Sequence, residues 1–147
     1  MLDRKRLGFL AGAGLFAIVA AASAYGEAKA PSKELTYIKN AQGMQIKSMG
    51  TPNVDAFLQD IISSDDPKAP LTCGLFRLEK SAPLTYDYTY DEAKIILEGS
   101  MTVSDGKNTV TATKGDVLFF PKGSTITFTT EKEGLGFICG QRARDNS

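Results

Sequence analysis

The feature that most constrains this chain is a succession of short apolar runs, each closed by a glycine turn, between Asp91 and Phe128. Asp91-Glu-Ala-Lys-Ile-Ile-Leu-Glu-Gly99 leads into Met101-Thr-Val103, the Asp105-Gly106 turn and Thr109-Val-Thr-Ala-Thr113. Gly115-Asp116 then turns the chain into Val117–Phe120, and Pro121-Lys122-Gly123 turns it again. Beyond that, Ser124, Ile126 and Phe128 alternate with Thr125, Thr127 and Thr129. Runs of this length with period-two alternation are strands, and their regular spacing predicts a sandwich or barrel.

The rest of the chain supports an all-β body. Thr72–Glu79 and Gly134–Gln141 read as strands, and Leu84–Tyr90 alternates Thr85, Asp87 and Thr89 with Tyr86, Tyr88 and Tyr90. Leu35–Ile38 is expected to be a first strand, and Asn40–Asn53 is expected to be irregular. Val54–Ile62 stays open between helix and strand: its apolar residues fall at helical spacing, yet the run is short and bounded by Pro52 and Ser63–Pro67. β-Branched and aromatic residues outnumber strong helix formers through the second half.

The N-terminus is of another kind. Arg4-Lys-Arg6 precedes an apolar run from Leu7, and Ala22-Ser-Ala24 fits the small-x-small cleavage rule, which predicts a secretory signal peptide over residues 1–24. The competing expectation is an apolar helix anchoring the protein in a membrane through residues 7–24. Either way the protein is expected to be secreted or membrane-anchored. Residues 25–34 read as a linker, 35–70 as strands and loops covering a barrel, and 71–143 as the barrel itself.

What the chain lacks narrows its chemistry. It contains no His, so it cannot build a His-based metal site or use imidazole as a general acid or base. Lys+Arg and Asp+Glu both number 17, so no overall field draws in nucleic acid. No metal or other cofactor is expected.

Two spaced motifs identify the fold more closely. Gly115, five residues, Pro121-x-Gly123 and two further residues match the second motif of the cupins, with Ile126 where a metal-binding His belongs. Glu92, six residues and Gly99 match the end of the first motif. Its His-x-His pair falls on Thr85 and Asp87, or on Tyr86 and Tyr88 with the shorter spacing. Thr89–Glu92, Leu97–Gly99, Lys114–Val117 and Phe120–Phe128 resemble the ethanolamine-utilisation EutQ family of cupins. The resemblance is strongest from Cys73 to Gln141. It implies a single-domain jelly-roll barrel with an internal pocket, and it makes Phe57–Ile62 a strand. Family members belong to ethanolamine catabolism, and acetate kinase activity has been attributed to EutQ. This chain has no Gly-x4-Gly-Lys-Ser/Thr phosphate loop.

The cupin register turns Glu92 into the barrel and, two residues on, Lys94 with it. A cationic Lys94 would clamp a carboxylate or carbonyl oxygen, with Glu92 accepting a proton. A neutral Lys94 would instead attack a carbonyl. Tyr86 is a third catalytic candidate, and Asp87, Tyr88, Ile126 and Phe128 are candidate ligand contacts. Alternation alone argues the reverse, with Ala93, Ile95 and Leu97 in the core and Glu92, Lys94 and Glu98 as a solvated face. An oxygen-only cation site from Glu92, Asp87 and Asp91 is the remaining alternative. In a jelly roll the first and last barrel strands are neighbours, which makes Cys73 and Cys139 candidates for a disulfide, against the alternative of two buried thiols.

Apolar residues on both faces of Val117–Phe120 and at Ile95 and Ile96 need cover on the outside as well as the inside. Residues 35–62 or a second subunit are the available covers, and a homodimer is expected. Three functions remain open: a small-molecule binder, a metal-independent lyase, isomerase or hydrolase, and a structural domain with a filled barrel.

Overall fold

The computed structural model describes residues 33–147. The expected signal peptide or anchor of residues 1–24 and most of the linker lie outside the described residues. Among the described residues no helix is long and apolar enough to cross a membrane.

A short 3-10 turn, Ala41–Gly43, precedes nine strands: β1 Lys47–Ser48, β2 Ala56–Ser63, β3 Thr72–Glu79, β4 Leu84–Asp87, β5 Glu92–Ser104, β6 Thr109–Thr113, β7 Val117–Phe120, β8 Thr125–Thr129 and β9 Glu133–Gly140. All pairings are antiparallel, in the order β1-β2-β3-β9-β5-β8-β4, with β6 and β7 also paired to β5. The long β5 makes the curl. Its first half pairs with β7 and β9, and its second half crosses to β6 and β8.

A β-bulge lies between Ile96 and Glu98, where the β5–β9 register shifts, and it decides which side chains face inward. Glu92, Lys94 and Ile96 point into the barrel before it, and Met101 and Val103 after it. An extra residue at the bulge changes the parity of the strand. Gly99 next to it has φ 62°, and a Cβ there would stand 2.1 Å from the Glu133 carbonyl oxygen, so no larger residue fits this approach.

The interior is aromatic and aliphatic: Phe76, Leu78, Leu84, Tyr88, Ile96, Met101, Phe120, Ile126, Phe128 and Ile138 are all buried. Phe128 packs against Phe120 and Phe76 with ring centroids 5.4 and 5.7 Å away. Burying one such ring stabilises the fold by about 1.5–3 kcal/mol. Cys73 and Cys139 face each other across β3 and β9, and they are bridged.

One expectation fails. Residues 35–38 form no strand, and Leu35 and Tyr37 are 95% and 77% exposed. The two-residue β1 holds the edge of β2 instead. β2 itself extends the sheet edgewise beside β3, so it lies within the layer. Val117 and Phe119 remain 69% and 63% exposed, and Ile95 lies directly beside Val117 on the same face.

Candidate functional site

The barrel interior contains two buried charged side chains on one strand. Glu92 and Lys94 leave only 4% and 2% of their surface exposed. They are two residues apart on β5, so the pleat aims both at the same space. The Lys94 Nζ lies 3.6 Å from Glu92 Oε1. It also sits over three ring faces, 4.0 Å from the Phe76 centroid, 4.5 Å from Phe128 and 5.3 Å from Phe120.

β9 makes room for them. Its inward positions include Gly134, Gly136 and Gly140, and a Cβ on Gly136 would meet the Lys94 Cγ at 3.0 Å. A Cβ on Gly140 would meet the Tyr90 ring at 2.8 Å. The lysine stem and the tyrosine thus occupy space that side chains on β9 would otherwise take.

Tyrosines complete the polar wall. Tyr88 donates its hydroxyl to Glu92 Oε1 at 3.0 Å, and the Tyr86 and Tyr90 hydroxyls lie 3.2 Å apart. Burial above all, then the Glu92 charge and hydrogen bond, push the Tyr88 phenol far above its ordinary pKa. Burial and the Tyr86 hydrogen bond raise Tyr90 as well. Both stay protonated across the physiological range. Burial, the largest influence, lowers the pKa of Lys94, while the neighbouring Glu92 opposes that fall.

These groups line a cavity of ≈ 30 Å³ with Met49, Leu58, Leu84 and Ile138. That is room for about two water molecules. A surface groove of ≈ 300 Å³ shares Met49, Leu58 and Ser147 with it, so these three residues stand between the groove and the cavity. Ser147 is held nearby by a strap. Asp60 on β2 accepts from Arg142 at 2.6 and 2.8 Å and from the Asp145 amide at 2.8 Å. Arg144 reaches the Asp60 carbonyl at 2.9 Å.

Of the candidate residues, Glu92, Lys94, Tyr86, Tyr88 and Phe128 line the cavity. Asp87 does not: the alternation that turns Tyr86 inward turns Asp87 to solvent, where Thr125 donates to it. Ile126 is packed into the core but does not reach the cavity wall. The carboxylate cation site is not assembled either. Asp87 is outside, and Asp91 accepts from the Lys122 amide at 2.7 Å. Among the described residues no three His, Cys, Asp or Glu side chains are placed to hold a metal ion. Sequence reasoning missed Tyr90, Phe76, Phe120 and Met49, and it missed the Asp60–Arg142 pair. The alternating glycines of β9 were the available sign of a large side chain opposite.

Comparison with known proteins places this chain in a family. A family model described as ethanolamine utilisation protein EutQ matches residues 28–139. The acetate kinase EutQ of Clostridioides difficile (strain 630) is 30% identical over 105 residues, covering 63% of this chain and 67% of that protein. The acetate kinase EutQ of Escherichia coli (strain K12) is 37% identical over 73 residues, covering 50% of this chain. The match spans just 30% of the E. coli protein. Among solved structures, the C. difficile EutQ protein superposes with a TM-score of 0.65 at 20% identity, over 78% of this chain and 88% of that one. An RmlC-like cupin from Shewanella frigidimarina NCIMB 400 superposes with a TM-score of 0.58 at 15% identity, over 79% of this chain and 96% of that one. At these identities the structural likeness shows the cupin fold.

Proposed function

We infer the function from the premise that this chain belongs to the ethanolamine utilisation protein EutQ family: its barrel binds a small carboxylate or carbonyl compound against Lys94 and Glu92. The observation that carries this reading is the placement of both charged groups on the wall of a cavity in a core of aromatic and aliphatic side chains. Stability does not explain them. Taking two charges out of water costs several kcal/mol per ion, and well-packed apolar residues in their place are often as stable or more so. A pair retained against that cost is suited to an external partner.

The curated relatives are named acetate kinases. Acetate is the size of acid that a cationic Lys94 would hold in a cavity of ≈ 30 Å³. The reading takes over the small acid and not the phosphoryl transfer. Titration with acetate, formate and glyoxylate, followed by NMR of the Ile138 and Leu84 methyl groups, tests it. Binding to the wild type that disappears in Lys94→Met and Glu92→Gln, with circular dichroism unchanged, supports a binder. No shift with any of the three refutes it.

The small size of the cavity favours a second reading, a structural barrel filled by its own side chains. In that case the same variants change stability alone. Turnover lost with folding intact would instead indicate a metal-independent enzyme acting through the pair. The exposed row of Ile95, Val117 and Phe119 fits a second copy of the chain, since β2 does not cover it.

A further inference from the structure

We infer that the Lys94 amine, ringed by Phe76, Phe120 and Phe128 on the cavity wall and 3.6 Å from a Glu92 oxygen, condenses reversibly with a short aliphatic aldehyde to form an iminium. This rests on the binding reading above and names its ligand class.

The nucleophile, its base and the size limit are all in place. Lys94 is among the largest fully buried side chains, and the charged group nearest its nitrogen is one carboxylate oxygen just beyond hydrogen-bond length. Glu92 can take the ammonium proton, which frees the nitrogen lone pair. Burial lowers the Lys94 pKa, so more of the free amine is present near neutral pH than on a surface lysine.

The bonds balance as follows. The nitrogen lone pair forms a C–N bond to the aldehyde carbon, and the C=O π pair moves to oxygen, which takes a proton from the Glu92 carboxyl. The nitrogen, now a secondary ammonium, returns a proton to Glu92 and regains its lone pair; Glu92 delivers that proton to the hydroxyl, which leaves as water as the lone pair closes the C=N bond. The net reaction is ammonium plus aldehyde to iminium plus water, with no oxidant or reductant. The product keeps a positive charge at the same nitrogen, where the three ring faces and the Glu92 carboxylate stabilise it. A cavity holding about two waters takes an aldehyde of two carbons, whose oxygen then departs. Longer chains meet Phe128, Leu84 and Ile138.

The test is reductive trapping. The wild-type protein is incubated near neutral pH with acetaldehyde and cyanoborohydride, and ethylation of each lysine is timed by peptide mapping. Lys94 is expected to be modified ahead of the exposed Lys68 and Lys107. Butanal is expected to show no such preference. In Lys94→Arg, which keeps the cation, the fast site is expected to vanish. Exposed lysines modified with Lys94 left intact would overturn the inference. Acetate titration of the same sample separates the two failures: if acetate still binds, the covalent step alone is refuted; if it does not, the binding reading falls with it.

Discussion

Replacing Asp60 by Asn tests how the C-terminal strap is held and, through it, how the cavity is closed. In the wild type the Asp60 and Arg142 side chains are 3% and 2% exposed, with the shorter of their two contacts at 2.6 Å. Burial by itself would raise the Asp60 pKa, but the Arg142 hydrogen bonds, the Asp145 amide and the charges of Arg142 and Arg144 outweigh it and hold the carboxyl below its usual range. Asn keeps the shape and removes the charge, leaving the Arg142 guanidinium buried beside Tyr90 with its Nε already without a partner. Breaking one side of a buried pair costs about 3–5 kcal/mol. For a domain of this size, between the small and medium classes, that corresponds to a loss of roughly 10–20 °C in Tm.

The pH dependence has a definite sign. Since the folded pKa lies below the unfolded value, the unfolded chain binds more protons in the interval between them, and stability rises with pH there. The contribution of Asp60 is therefore complete above the ordinary aspartate pKa of 3.8 and lost as pH falls through the folded value. Thermal melts of wild type and Asp60→Asn should differ most near neutral pH and converge in strong acid. Limited trypsin digestion supplies a second readout: Arg144 is exposed, and a released strap is cut there sooner. A variant that melts with the wild type and is cut no faster would refute the assignment of the strap to this pair.

Phe119→Lys puts a charge in the exposed apolar row of β7; sedimentation velocity should show the wild type as a dimer and the variant as a monomer, and a monomeric wild type rejects the second copy. Gly136→Val fills the space beside the Lys94 stem, where even a Cβ comes to 3.0 Å, and should abolish acetate binding while costing about 1–3 kcal/mol in denaturant melts. Unchanged affinity would show that the stem is not held by β9. Cys73→Ser with Cys139→Ser removes a link spanning 66 residues and should lower stability by about 2–5 kcal/mol. A loss reproduced in the wild type by reductant alone confirms that it arises from the bridge.

The parts of the fold legible in the sequence were those specified by local chemistry. The Gly115 and Gly123 turns have φ values of 93° and 88°, which glycine alone adopts freely, so the turns that separate β6, β7 and β8 follow from their spacing. β3 also matches its expected bounds, since Thr72–Glu79 is a strand-length run with a turn on each side. Leu35–Ile38 has the composition of a strand and forms none, because a strand also requires an edge to pair with, and that edge is occupied by β1.

The site was legible only through the family register, and the reason is physical. On β5, hydrophobicity and direction conflict: Ala93 and Ile95 are exposed, while Glu92 and Lys94 are buried. Alternation identifies two faces but not which of them is inner. Here the answer depends on the bulge before Gly99, which lets Met101 and Val103 share the interior with Lys94 although their sequence parity differs. An unbroken strand with Met101 and Val103 inward would have turned Lys94 to solvent and Ile95 to the core. The bulge therefore both shapes the barrel and makes the buried amine possible. Deleting Leu97, the residue it accommodates, should exchange the two faces upstream: Lys94 would then be ethylated no faster than Lys68 and Lys107, and a lead kept over them would show the parity argument to be wrong.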